Sequence, residues 1–255
     1  MRRTAVIEVL LGIVPIALIL ALWQGLTSAG MAPPSLLPPP GAVFARFAQQ
    51  LLDPIFLEHA AVTLFRLFMG FAIAVVLGVT LGVAATGSKA VEAVVRPIVR
   101  VLAPVPKIAL YPAFILILGF EHASKVALVA ADALFPILLA TYQGTSAVDT
   151  KLVWAARAAG TSARKALFTV VLPAALPSVL TGCRIGLVIS CIVVFLAEMI
   201  TSSNGLGHLL VYASRSFQTV DMFVPLIAIS ILGLALNAAF NALRGWLLQG
   251  FPEEG

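Results

Sequence analysis

The chain has 255 residues, of which 61% are apolar and 11% charged, with a mean hydropathy of +1.07. Soluble domains carry about 25% charged residues, so this chain lacks the polar surface of a water-soluble fold and reads as one membrane domain. Its net charge of +5 is scattered between apolar stretches rather than gathered on one soluble face, which excludes a nucleic-acid partner and makes charge a guide to topology.

In chain order, six apolar stretches suggest spans at roughly 6–27, 57–86, 108–120, 123–143, 178–200 and 222–248. Each is read against the roughly 20 residues that a helix needs to cross a bilayer. Met1-Arg2-Arg3 before the first stretch and Ser28-Ala29-Gly30 after it imitate a secretory signal, but the run is long for a signal core. A retained first span is expected. The segment Ala32-Pro33-Pro34-Ser35-Leu36-Leu37-Pro38-Pro39-Pro40 cannot be regular helix, because proline lacks the N–H and clashes with the preceding turn. It predicts an extended external connector, with a short helix near 42–52 after it. Residues 1–56 thus form a first unit of span and connector, and residues 57–255 the core.

The second span carries Gly70, Ala74, Gly78 and Gly82 at four-residue spacing, and the fifth carries Gly182, Gly186 and Ser190 likewise. Such stripes let helix backbones approach closely in lipid, and they can also line a moving pathway. The third stretch is too short to cross straight, and Pro112 interrupts it. Broken backbone is tolerated only against protein or a water-filled cavity, so burial is expected here. Cys183 and Cys191, eight residues and about 12 Å apart on one helix, are too distant to bridge each other within it.

With the amino terminus inside, twelve of the sixteen basic residues, Lys107 and Arg184 among them, fall on the cytoplasmic side. Arg46, Arg66, Lys125 and Arg215 remain outside, the asymmetry that the positive-inside rule requires. Both termini are predicted to be cytoplasmic.

Residues 144–177 form the longest break between spans on the inner face. Ala155, Ala156, Ala158 and Ala159 favour helix, Gly160 can end one in the left-handed conformation, and Thr161 or Ser162 can cap the next. Two short helices joined at a sharp turn would suit either docking into a groove of another protein or lying on anionic lipid.

Trp154-Ala155-Ala156-Arg157-Ala158-Ala159-Gly160, then nine residues, then Val170-Val171-Leu172-Pro173, resembles the cytoplasmic loop motif of binding-protein-dependent ABC importer permeases. The family pattern is Glu-Ala-Ala, three residues, Gly, nine residues, Ile, one residue, Leu-Pro, and the spacing agrees throughout. The similarity runs from about Thr63 to Ile231, and its details are similar to the nitrate, sulfonate, taurine and bicarbonate branch. It is carried by Thr63, Arg66, Gly70-Phe71, Gly87-Ser88, Pro104, Pro106, Phe135-Pro136-Ile137, Ala197-Glu198-Met199 and Gly205-Leu206-Gly207. Trp154 departs from the family Glu, which puts in doubt any salt bridge from that position to the ATPase.

The resemblance implies an all-α, six-span type I importer permease working as a homodimer in the bacterial inner membrane. Two ATPase subunits would sit below, holding ATP and magnesium, and a periplasmic or lipid-anchored solute-binding protein above. It implies coupling to the ATPase through Trp154, Ala155, Ala156, Arg157, Gly160, Thr161 and Pro173. The chain itself has no Gly-x-x-x-x-Gly-Lys-Ser/Thr loop, no metal cluster and no hydrolase motif, so no cofactor and no catalytic residue is expected in it. His59, His122 and His208 fall near span ends and read as interfacial side chains.

Ionisable groups within spans are costly and therefore candidate functional groups. Arg66 either snorkels outward or faces the pathway. Glu198 fixes the loop after it or meets solute, and Asp132 serves helix packing or a cationic solute. Arg66, Ser190, Glu198 and Asp132 are the pathway candidates. A small anion is the expected solute, with Asp132 turned into packing. A neutral or cationic heterocycle such as a vitamin precursor is the alternative, and an ion-driven carrier or a lipid enzyme are rival functions.

Overall fold

The computed structural model describes residues 2–31, 33 and 35–251, and the side chains from Val14 onward within these. Every regular element among the described residues is helical. The elements are α1 (Arg2–Ser28), α2 (Pro40–Gln50), α3 (Pro54–Gly87), α4 (Lys89–Leu102), α5 (Tyr111–Leu118), α6 (His122–Ser146), α7 (Thr150–Ala158), α8 (Ala163–Ala166), α9 (Leu172–Ala174), α10 (Leu176–Ile200), α11 (Leu206–Arg215) and α12 (Thr219–Leu247). A 3₁₀ turn, Lys107–Leu110, precedes α5, and a π turn, Leu167–Val171, joins α8 to α9.

Four of these helices, α3, α6, α10 and α12, are long and apolar enough to cross a membrane. The segments α4 and Lys107–Leu118 are together apolar enough for a fifth, but they meet at a 90° bend, the geometry of a broken span or a re-entrant loop. With α1, 27 residues long, the six expected apolar stretches are all helical. The side chains of Arg2 and Arg3, on which part of the topology argument rests, lie outside the described residues, as do Ala32 and Pro34 of the connector.

Local signals explain most boundaries. Asp53 Oδ1 accepts from Ile55 N at 3.0 Å and starts α3, with Pro54 in the first turn, where its missing N–H costs nothing. Pro40 opens α2 in the same way, two residues earlier than the sequence suggested. The connector before it turns rather than staying extended throughout, since Leu36 N and Leu37 N both donate to Pro33 O.

The third crossing corrects the sequence reading in two respects. Pro112 stands in the first turn of α5 and starts it rather than interrupting a span. The helix buries Tyr111 and Ile115, yet Leu116 and Ile117 remain 87% and 79% exposed, so the expected burial holds on one face only. The amphipathic α4 went unrecognised. Glu92, Arg96 and Arg100 recur at four-residue spacing along it, which puts them on one face. Tyr142 on α6 donates to Glu92 at 2.6 Å and fastens α4 to the bundle.

The helix α6 lies between α3 and α10, with small residues on both neighbours. A Cβ at Gly70 would fall 2.6 Å from Val129 Cβ and 2.9 Å from Val126 O, and one at Gly186 would fall 2.8 Å from Ile137 Cδ1. The stripes are therefore packing surfaces, where the missing side chain lets backbones touch. Leu67, Leu128, Val129, Leu187 and Val194 form the core of this layer. Phe56, Phe195, Leu206 and Val224 join α3, α10, α11 and α12.

Two basic residues assigned to the cytoplasmic side lie deeper. Lys107 Nζ is 3.6 Å from Asp132 Oδ1 and 4.6 Å above the Phe135 ring, near the middle of α6. The 90° bend brings the residues before α5 into the bundle, an outcome the boundary at 108 hid. Arg184 is the ninth residue of the 25-residue α10, about 12 Å along its axis at 1.5 Å per residue.

Candidate functional site

The segment between α6 and α10 is built from caps. Asp149 Oδ1 accepts from Lys151 N at 2.9 Å and starts α7. At its end Gly160 adopts φ +86°, Gly160 N donates to Arg157 O at 2.9 Å, and Thr161 N donates to Ala156 O at 3.0 Å. This pair of bonds is a Schellman ending, which needs a left-handed residue and hence favours glycine. Ser162 Oγ then accepts from Lys165 N at 3.3 Å and caps α8. Nothing lies within 4 Å of a Cβ placed on Gly160, so its requirement within the subunit is backbone conformation and not close approach.

The geometry leaves α7 outward. The helix has no buried residue, Ala155, Arg157 and Gly160 are exposed, Ala156 and Thr161 half-buried, and Trp154 is 66% exposed. The indole is open on a helix that contributes nothing to the subunit's own core, which makes it a candidate contact surface. Its base is firm: Ala166, Val171 and Ala175 are buried. Pro173 lies in the first turn of α9, and Leu167 sits against Gly87 at the end of α3.

At the opposite end of the bundle the charged residues are inside. Arg66 and Glu198 are each 1% exposed and meet at 2.7 Å. The Glu198 carboxylate also accepts from Thr63 Oγ1 at 2.8 Å and from Gly207 N at 3.1 Å. Arg66 donates further to His122 Nδ1 at 3.2 Å, to Ser202 Oγ at 3.3 Å, to Asn204 O at 3.0 Å and to the Asn204 side chain. Leu206 N donates to Thr63 Oγ1, and Gly205 N to His59 Nδ1. Gly205 adopts φ +104°, and a Cβ there would land on the Glu198 carboxylate. One ion pair thus ties α3, α6, α10 and the loop 201–205 together.

These placements revise the pathway candidates. Arg66 neither snorkels nor faces a groove of the subunit. Ser190 is fully buried and returns its hydroxyl to Gly186 O at 2.8 Å, so within the single subunit it is packed, as Arg66 and Glu198 are. Asp132 keeps its side chain 23% exposed beside Lys107. The sequence did not reveal His122, Ser202 and Asn204 as partners of Arg66. Their separation in the chain exceeds any local spacing rule, and only the Gly205-Leu206-Gly207 cluster signalled a tight loop. The histidines form no metal cluster among the described residues. His59 and His208 stack with ring centroids 5.9 Å apart.

A family model for binding-protein-dependent transport system inner membrane components matches residues 74–251. The chain is 32% identical to the aliphatic sulfonates transport permease protein SsuC of Bacillus subtilis, over 91% of this chain and 84% of that one. It is 29% identical to the taurine transport system permease protein TauC of Escherichia coli, over 93% and 88%. It is likewise 29% identical to the formylaminopyrimidine transport permease protein ThiX of Halalkalibacterium halodurans, over 91% and 92%. Among solved structures, an inward-facing form of the MetNI methionine ABC transporter superimposes with a TM-score of 0.68 at 19% identity, over 77% of this chain and 97% of that one, which supports the fold. The protein therefore belongs to the binding-protein-dependent transport system inner membrane components and is a multi-pass permease subunit of an ATP-driven importer, not an enzyme, served by an ATPase and a solute-binding protein.

Proposed function

We propose that two copies of this chain form the pore of an inner-membrane importer for a small anion of the sulfonate class. Both termini lie in the cytoplasm. Residues 57–255 form the working core, and 1–56 the leading span with its external connector. Two ATPase subunits bind ATP and magnesium below, and a periplasmic or lipid-anchored protein delivers solute above. The segment 144–177 carries the ATPase contact through Trp154, Ala155, Ala156, Arg157, Gly160 and Thr161, with Pro173 setting its base.

The observation that carries the solute assignment is the state of the carboxylates within the spans. Glu198 is held by Arg66 at 2.7 Å and Asp132 lies 3.6 Å from Lys107, so neither is a bare negative group. A bare one within about 6 Å would oppose an anion by over 2 kcal/mol at an effective dielectric of about 20. The relatives named for sulfonates and taurine support the same class. The relative named for formylaminopyrimidine favours a second reading, a neutral or cationic heterocycle. Uptake by vesicles holding the permease, its ATPase and its binding protein separates the two. Taurine or an alkanesulfonate should be accumulated when ATP is supplied, and formylaminopyrimidine should not compete. Accumulation of the pyrimidine alone contradicts the anion assignment.

A further inference from the structure

Between α10 and α12 the subunit leaves an open groove of about 870 Å³. Its walls are apolar, with Ile185, Val188, Ile192, Leu226 and Leu234 all exposed along it. Polar side chains from the two helices interrupt them. Thr181 and Arg184 come from α10, and Ser230 and Asn237 from α12. The two hydroxyls are spent on their own helices, Thr181 on Pro177 O and Ser230 on Leu226 O. Arg184 is different. Its Nε donates to Asn237 Oδ1 at 2.9 Å, and no carboxylate stands within ion-pair distance of it among the described residues.

Depth gives this cation its meaning. Arg184 lies about 12 Å from the start of α10, and Asn237 about 15 Å from the end of α12. Both lie inward of the ends of helices long and apolar enough to cross a hydrocarbon layer about 30 Å thick. An ionised side chain at that depth faces a water-filled cavity or a counter-charge, because acyl chains cannot solvate it. We propose that Arg184, oriented by Asn237, binds the anionic head of the solute within the membrane-spanning part of the subunit while the apolar groove receives its organic tail.

The geometry suits that ligand. With Nε engaged by Asn237, the terminal amino groups of the planar guanidinium are left to donate in parallel to two oxygens of a sulfonate or carboxylate. The predominance of apolar wall selects an organic anion over a bare inorganic one such as nitrate, whose hydration shell the few donors there, Arg184 and the Asn237 amide, replace only in part. The inference rests on the anion reading above and assigns that anion a contact within this chain.

The test uses proteoliposomes containing the permease, its ATPase and its binding protein, with butanesulfonate as the probe. Wild type should accumulate it on ATP addition, Arg184→Gln should lower uptake at least tenfold without loss of assembled complex, and Arg184→Lys should recover part of it. Wild-type uptake of butanesulfonate with an unchanged rate in Arg184→Gln overturns the site and leaves the solute class standing. Wild type that carries only the pyrimidine overturns both. A second measurement needs no transport. Val188→Cys, with the two buried cysteines replaced by alanine, is modified by anionic and cationic thiosulfonates. The anionic reagent should be favoured several-fold when Arg184 is present, with the preference lost in Arg184→Gln. Equal rates with either residue at 184 overturn the site, and so does a cationic preference in the Arg184 protein, which would mean that a carboxylate from a second copy occupies it.

Discussion

At the end of the bundle that carries Arg66 and Glu198, the charged groups are buried and answered by partners. At the end that carries Trp154, the chain buries almost none of its surface and satisfies only its own backbone. The first arrangement makes one rigid body of α3, α6, α10 and the 201–205 loop. Removing either partner there leaves an uncompensated buried charge. The second arrangement spends capping residues on holding a short helix in a fixed pose away from the core, where its side chains are free for another protein. The Arg66–Glu198 charges are spent on packing within the bundle, whereas the Trp154 indole is left open on its surface.

The comparison breaks most readily at the ion pair. Arg66→Met or Glu198→Met alone should cost about 3–5 kcal/mol, read as a lowered unfolding midpoint in detergent. The double substitution should recover much of that loss. Equal and additive losses would mean that the two residues act independently. A smaller effect is expected at the helix contact between the two ends. Gly70→Ala drives a Cβ against Val129 and Val126 O, so α3 must move, at a cost of about 1–3 kcal/mol. An unchanged midpoint would show that this contact is slack.

The exposed end should respond in binding and not in folding. Trp154→Ala should leave the midpoint where it is and weaken ATPase assembly by about 2 kcal/mol, with little dependence on salt because the contact is apolar. Strong salt dependence would point instead to Arg157 as the anchor. Topology sharpens the same contrast without perturbing either end. Single cysteines at Ser35 and Ser162 should react with impermeant reagents from opposite faces, and labelling of both from one face contradicts the orientation.

Much of this was legible in the sequence, for reasons particular to each place. The coupling turn could be read because its determinants are local: alanines for helix, Gly160 for the left-handed ending, Ser162 for the cap. The small-residue stripes could be read because a period of four marks a helix face, although only the structure assigns them to packing around α6. The Arg66 network was hidden, since His122 and Asn204 reach it from remote parts of the chain. The depth of Lys107 was hidden too, because the predicted stretch began at 108 and a 90° bend is not visible in hydropathy alone. Arg184 fell inside the predicted span 178–200, and only the charge count set it on the cytoplasmic side.

The central claim is that the α7 turn transmits the work of ATP to the spans, and Gly160 tests it most directly. Valine at φ +86° is strained by about 1–2 kcal/mol, enough to misalign a short helix while the buried end holds the bundle folded. In proteoliposomes with the ATPase and binding protein, Gly160→Val should retain the assembled complex but lose at least tenfold in ATP-driven uptake. Uptake at the wild-type rate, or wild-type uptake that persists without ATP, contradicts the account.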